Sequence, residues 1–286
     1  MFFRFLPLFK RFLLWYTTSV NKGGIFLIAN YHTHTYRCKH ALGDDEAYIR
    51  AAIKAGFQTL GFSDHTPWPY ASYRSDMRIE LSEFAGYIEN LTRLREKYAG
   101  QIEIKIGLEC EYFETYLPWL TDLAATHHLD YLLLGNHFSA PEEEEGHFYY
   151  GPPLTEEQIA RYGEQSEKAL ASGVYTCFAH PDLYARGMTE LSDTVRSVAR
   201  SISRAASVMD VPLELNIPSF ELACCSPETL TAYRSLWEEL LSSPVKVILG
   251  IDAHNPRSLL ESEPVSEAEK FLKILGAQVI DKLPTL

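Results

Sequence analysis

From Ile25 onward the chain alternates short, near-continuous apolar runs with longer amphipathic ones, and this rhythm restricts the fold more than any other feature. The apolar runs are IFLIANY (25–31), QTLGFS (58–63), IEIKIGL (102–108), DYLLLGN (130–136), VYTCFA (174–179), PLELN (212–216) and VKVILGI (245–251). Near-continuous runs of this kind are expected of strands covered on both faces in a parallel sheet. Between them lie helical stretches such as DDEAYIRAAIKAG (44–56), SEFAGYIENLTRLREKYAG (82–100), TEEQIARYGEQSEKALASG (155–173) and SPETLTAYRSLWEELLSS (226–243). Several open on a capping Ser, Thr or Asp with Glu in the first turn, and some close on Gly. Seven strand-then-helix units with no Pro-, Gly- and Ser-rich linker predict one α/β domain over 25–286. Its expected form is a closed or nearly closed, TIM-like (β/α)7 barrel.

With 286 residues, 46% of them apolar, the chain has enough hydrophobic material for one such core. A formal charge of −12 excludes nucleic acid as a bulk partner, which needs a basic surface. A small phosphorylated substrate stays compatible, because bound cations and a few arginines make one pocket positive on an acidic protein. Cys38, Cys110, Cys177, Cys224 and Cys225 form no CxxC pair. They read as reduced thiols of a cytoplasmic protein, and no zinc–thiolate site is expected. Residues 1–24, MFFRFLPLFKRFLLWYTTSVNKGG, are apolar and basic, but Arg4, Lys10 and Arg11 interrupt them short of the ~20 residues of a membrane span. They are assigned to an extension outside the fold, with no membrane partner.

Seven of the ten histidines fall at or just beyond the C-terminal end of a predicted strand. In a barrel those ends converge on one face, where active sites are built. The first strand runs into His32, His34 and His40; residues two apart in an extended segment point the same way, so His32 and His34 can share one ion. The second ends in Asp64 and His65, the third in Glu109 and Glu111, the fourth in His137, the fifth in His180 and Asp182, and the seventh in Asp252 and His254. A single histidine in such a place is ordinarily a hydrogen-bonded core or surface residue; the coincidence at six strand ends carries the argument. His127 and His128 lie on the opposite face, His147 lies in an acidic loop, and Glu142 to Glu145 read as solvated. Imidazole and carboxylate without thiolate suit a catalytic Zn, Mn or Fe site. So many donors call for two or three divalent metal ions.

These motifs, in this order, resemble the polymerase and histidinol phosphatase (PHP) superfamily, whose members fold as a distorted seven-stranded barrel around three metals. The resemblance runs over about residues 27 to 275 and rests on H-x-H-x5-H at His32, His34 and His40 and on the closing D-x-H of Asp252 and His254. YHTHTYRCKHALG, LGFSDHTPWP and GIDAHNP are similar to the histidinol-phosphatase branch. It implies that His32, His34, Glu109 and Asp252 hold one ion, that Glu109 bridges to a second held by His137 and His180, and that His40, His65 and His254 hold a third. Glu109, Asp252 and His254 are then the expected catalytic residues. Arg186 is the expected substrate-phosphate contact, with Arg78 a second candidate. Asp64 and Asp182 are expected to orient ligand imidazoles; Glu111 and Glu214 do the same or meet a substrate amine. The implied reaction is hydrolysis of L-histidinol phosphate, in histidine biosynthesis, by a metal-activated hydroxide. Alternatives are a PHP phosphoesterase for another small ester, an amidohydrolase, which would ordinarily supply a lysine where Gly135-Asn136-His137 stands, and a non-catalytic metal-binding module.

Overall fold

The computed structural model describes residues 27–71, 73–144, 146–150 and 153–286. The expected extension over 1–24 lies outside them. Eight parallel strands run in sequence order through one sheet: β1 (Ala29–Asn30), β2 (Thr59–Phe62), β3 (Glu103–Cys110), β4 (Tyr131–Gly135), β5 (Cys177–Ala179), β6 (Leu213–Asn216), β7 (Lys246–Gly250) and β8 (Gln278–Val279). The crossovers carry α1 (Asp45–Ala55), α2 (Phe84–Lys97), α3 (Leu117–Thr126), α4 (Glu156–Ala171), α5 (Asp193–Met209), α6 (Ile217–Ala223), α7 (Pro227–Leu240) and α8 (Ser262–Ile274). Their ends follow sequence chemistry: Asp44 accepts from the Ala47 amide at the start of α1, and left-handed Gly56 (φ 90°) closes it. Thr155 and Gln158 form a capping box on α4.

The strand count corrects the sequence expectation of seven. Strand β8 is two exposed residues paired with Lys246 and Val247 at the start of β7. A pair that short, without buried side chains, leaves no hydrophobic signal to read. At the opposite end β7 meets β1 directly: the His34 amide donates to the Ala253 carbonyl at 2.9 Å and the Ala253 amide to the His32 carbonyl at 3.1 Å. Buried Asn30 locks this seam, donating to the His32 carbonyl and the Thr33 hydroxyl and accepting from the Ile251 amide. The ring of strand ends is thereby closed where the histidines stand.

Two apolar layers support it. Ala29, Tyr31, Tyr131, Leu133, Cys177, Ala179, Ile248 and Leu283 pack inside the barrel, the last from the C-terminal segment. The larger core lies between sheet and helices, with Trp237, Phe62, Phe178 and Leu60 fully buried. The loops after β2 and β4 are joined to each other: Glu142 accepts from Ser75 Oγ at 2.8 Å and Arg78 Nε at 2.5 Å. The reading of Glu142 as solvated is therefore corrected, because a buried arginine in the neighbouring loop draws it inward. Among the described residues, no helix is long and apolar enough to cross a membrane.

Candidate metal centre

The chain leaves β1 still extended, so His32 and His34 project to one side and their Nε2 atoms lie 3.0 Å apart. Thr35 then caps a single 3-10 turn, Tyr36–Cys38, and left-handed Lys39 (φ 67°) reverses the chain, returning His40 to the same pocket. Buried Arg37 anchors this loop on Asp45 with contacts of 2.5 and 2.9 Å. Two other ligand candidates sit on left-handed backbone, His180 (φ 34°) and Asp252 (φ 49°). Such φ values for non-glycine residues cost of order 1–3 kcal/mol and concentrate at functional sites.

All nine residues singled out as metal ligands meet on this one face. His32 Nε2 and His34 Nε2 lie 3.4 Å each from Glu109 Oε2 and 3.3 Å each from Asp252 Oδ1. Four donors about 2.1 Å from one ion at tetrahedral corners lie about 3.4 Å apart. Asp252 Oδ1 and His34 Nδ1 are buried without a hydrogen-bond partner, and an orphaned carboxylate oxygen among imidazoles fits a cation. The other Glu109 oxygen, Oε1, lies 3.2 Å from His137 Nε2 and 2.7 Å from His180 Nε2, so this carboxylate faces two positions at once. A third group combines His40, His65 and His254, with 3.0 Å between the Nε2 atoms of His40 and His254.

Ring orientation is set from behind. Glu214 holds His32 Nδ1 at 2.8 and 3.0 Å, and Glu111 holds His137 Nδ1 at 2.9 Å. The carbonyls of Cys38 and Asp252 hold His40 Nδ1 (2.6 Å) and His254 Nδ1 (3.0 Å). Each ring thus turns Nε2 toward the centre, as carboxylate–histidine–metal arrangements do. The expectation for Glu111 and Glu214 matches this placement; that for Asp64 and Asp182 does not. Asp64 accepts from the Thr35 amide (2.8 Å) and hydroxyl (2.7 Å), shaping the histidine loop rather than an imidazole. Asp182 accepts from Trp237 Nε1 at 3.4 Å, while His180 Nδ1 has no partner. The left-handed turn at His180 leads directly into the 3-10 turn Leu183–Ala185, which carries Asp182 away from that ring.

Electrostatics separate the groups sharply. Burial opposes charge on Glu109 and Asp252, yet the surrounding imidazoles hold both well below the usual carboxylate range. Burial likewise lowers His34, His137 and His254, but the same carboxylates more than reverse it, raising them to about 9, about 10 and about 9. His65 is driven well below its ordinary value by burial and by His34. Burial raises Asp64 to about 6. Before cations enter, protons occupy the positive places of this cluster.

The two arginines diverge. Arg186 is exposed, its guanidinium 4.3 Å from the centroid of the Tyr150 ring. Tyr150 lines a cavity of about 390 Å³ with His40, Asp252, His254, Glu221 and Glu261. Arg78, expected as a substrate contact, is instead 2% exposed and paired with Glu111 (2.7 Å) and Glu142. It reaches the centre only through Glu111 and His137, because two buried glutamates draw it behind the ligands. His127 caps α3 at the far end, as expected.

Three supporting residues escaped the sequence reading. A Cβ on Gly135 would lie 2.6 Å from His137 Cε1 and 2.7 Å from the Glu109 carboxyl carbon; one on Gly250 would lie 2.7 Å from Glu214 Cγ. Glycine at a strand end beside a ligand signals such close approach. Asn216 donates to Glu214 (3.0 Å) and Asp252 (3.3 Å) while capping α6, a pairing no local pattern announces.

The model of the PHP domain matches residues 30–217. The chain belongs to the PHP domain family. Among curated relatives, a probable histidinol-phosphatase of Deinococcus radiodurans is 27% identical over 164 residues, 53% of this chain and 59% of the relative. The histidinol-phosphatase of Bacillus subtilis is 30% identical over 114 residues, 37% of this chain and 42% of the relative. The chain thus spans about half the length of the curated relatives it matches. The histidinol phosphate phosphatase of Lactococcus lactis, solved with zinc, L-histidinol and phosphate, superposes with a TM-score of 0.69 at 20% identity, over 90% of this chain and 98% of that one. A putative histidinol phosphatase of Listeria monocytogenes gives 0.57 at 18%, over 80% and 96%. These two establish the fold of this PHP protein.

Proposed function

We propose that this chain is a metal-dependent phosphomonoesterase with two or three divalent cations, and that its substrate is L-histidinol phosphate. The observation that carries the reading is the meeting of nine imidazole and carboxylate groups, from six strand ends, in one cluster, of which His40, Asp252 and His254 line a cavity. Divalent cations held there would supply a water acidic near neutral pH and would neutralise charge on phosphoryl oxygens.

The chain's own residues do the remainder. Glu109 and Asp252, kept ionised by their neighbours, are acceptors for cations rather than acids. Glu214 and Glu111 fix His32 and His137 in the tautomer that presents Nε2. Arg186, exposed and stacked on Tyr150, meets the phosphate as a charged donor. Glu221 and Glu261 give the cavity wall a negative face, complementary to the protonated amine of histidinol. The relatives named as histidinol-phosphatases support that choice of ester.

The test is phosphate release from histidinol phosphate and from a panel of other phosphate monoesters, before and after chelation, with elemental analysis of the same sample. Turnover of histidinol phosphate that chelation abolishes and metal restores supports the reading. Turnover of another ester alone removes the substrate assignment. Bound metal with inertness toward every ester favours a binding module.

A further inference from the structure

We propose that Arg78 is a positioning residue for the cation position shared by Glu109, His137 and His180. It clamps the Glu111 carboxylate that aims His137, and so ties that position to the docking of the loop after β2. The inference rests on the cluster being a metal centre and not on which ester is hydrolysed.

The contacts form an unbroken chain. His137 Nε2 lies 3.2 Å from the Glu109 oxygen that also faces His180, and His137 Nδ1 lies 2.9 Å from Glu111 Oε1. The same Glu111 oxygen accepts from Arg78 Nη2 at 2.7 Å, while Oε2 accepts from Trp68 Nε1 at 2.9 Å. Arg78 Nε donates in turn to Glu142 at 2.5 Å, whose carboxylate also accepts from the Ser75 hydroxyl (2.8 Å) and the Tyr70 hydroxyl (3.2 Å). Trp68, Tyr70, Ser75 and Arg78 belong to the loop after β2, and Glu142 to the loop after β4. The side chains of Arg78, Glu111 and Glu142 are 2%, 0% and 4% exposed, so solvent offers little competition for these bonds.

A carboxylate held at one oxygen can still pivot about that bond. Trp68 holds one oxygen of Glu111 and Arg78 the other, which fixes the plane that His137 Nδ1 meets. A guanidinium suits this task because Nε and Nη2 reach two different carboxylates from one rigid plane, whereas an ammonium keeps the charge but loses the fork. Nη1 is buried without a hydrogen-bond partner, so the two carboxylates set the orientation of the group. His32 is secured differently: Glu214 behind it accepts from Asn216, two residues further along the chain, at 3.0 Å. Glu111 is clamped from 33 residues away, by a loop that must dock before the imidazole is aimed.

Chelator competition on the zinc-loaded full chain, with elemental analysis, tests this without any substrate. Arg78→Lys is the variant used, because Arg78→Ala leaves two buried carboxylates unpaired. One position is expected to release zinc about 10-fold more readily, the low end of the range for loss of an outer partner, with the others unchanged. Glu142→Gln, whose side-chain bonds go to neither Glu111 nor a ligand, is expected to weaken the same position in the same direction. It keeps the proposal falsifiable should Arg78→Lys not fold. Ile202→Ala opens a cavity beside fully buried Ile202 on α5, controls for lost stability alone and is expected to leave every position as in the wild type. Arg78→Lys combined with Glu111→Gln is expected to hold zinc no more weakly than Glu111→Gln alone, since Arg78 acts through Glu111. Multiplied losses mean an independent structural effect and overturn the proposal. Wild-type retention in both Arg78→Lys and Glu142→Gln, or equal weakening at every position, also overturns it. A wild type that retains no cation overturns the metal reading and this inference with it. Selective release in a protein inert toward every ester supports this inference and removes only the proposed function.

Discussion

Replacing Gly135 by alanine adds one methyl group at the most crowded point of the centre. Its Cβ would sit 2.6 Å from His137 Cε1 and 2.7 Å from the Glu109 carboxyl carbon, against about 3.5 Å for ordinary carbon contact. Both ligands must therefore move by nearly 1 Å, and neither has room. Glu109 is 1% exposed and hemmed by His32, His34, His65, His137 and His180, while His137 is tied to Glu111. Ligand distances in a working site tolerate about 0.2 Å, and a misplacement of 1 Å costs on the order of 100-fold in rate, about 2.7 kcal/mol. Gly135→Ala should fold, since β4 keeps its backbone pairing to β3 and β5. It should lose the ion shared by Glu109, His137 and His180, and its kcat/KM toward the phosphate ester should fall roughly 100-fold. Elemental analysis, steady-state kinetics and circular dichroism on one preparation read all three. A folded Gly135→Ala protein with undiminished metal content and wild-type kcat/KM would refute the packing argument.

Glu214→Gln preserves shape at His32 but removes the charge behind it, so metal at the first position should be held ~10–100-fold more weakly in a chelator competition. The arginines should separate cleanly. Arg186→Ala lowers kcat/KM roughly 10–100-fold with unchanged melting, from loss of one charge-assisted bond. Arg78→Ala lowers stability by about 3–5 kcal/mol in denaturant unfolding, because it strands Glu111 and Glu142. In chelated protein, His34, His137 and His254 have folded pKa values raised above 6.5 to about 9, 10 and 9, so their stabilisation is complete below 6.5 and is lost as pH rises through 9–10. Metal binding must expel those protons, so apparent affinity should climb with pH over the same window; calorimetry in two buffers of different ionisation heat showing no proton release would contradict this.

Much of this protein was written locally. Apolar runs of the right length announced β2 to β7, and histidines placed just past them named all nine residues that now converge, because a parallel barrel sends every strand end to one face. A local pattern carries direction and period, and those suffice for such a reading. Distance is what it lacks. Only the folded chain decided that Arg78 faces Glu142 across 64 residues and turns its back on the cavity, that Asp64 serves Thr35 instead of an imidazole, and that Asn216 bridges Glu214 and Asp252. Strand β8 and the β1–β7 seam belong to the same class: β8 is joined to β7 by backbone pairing that any side chains would permit, and the seam adds to its backbone bonds the Asn30 side chain, which accepts from the Ile251 amide far along the chain. Ligand identity followed from residue type at strand ends; the pairing of charges behind those ligands followed from packing, which is long-range and leaves no period in the sequence.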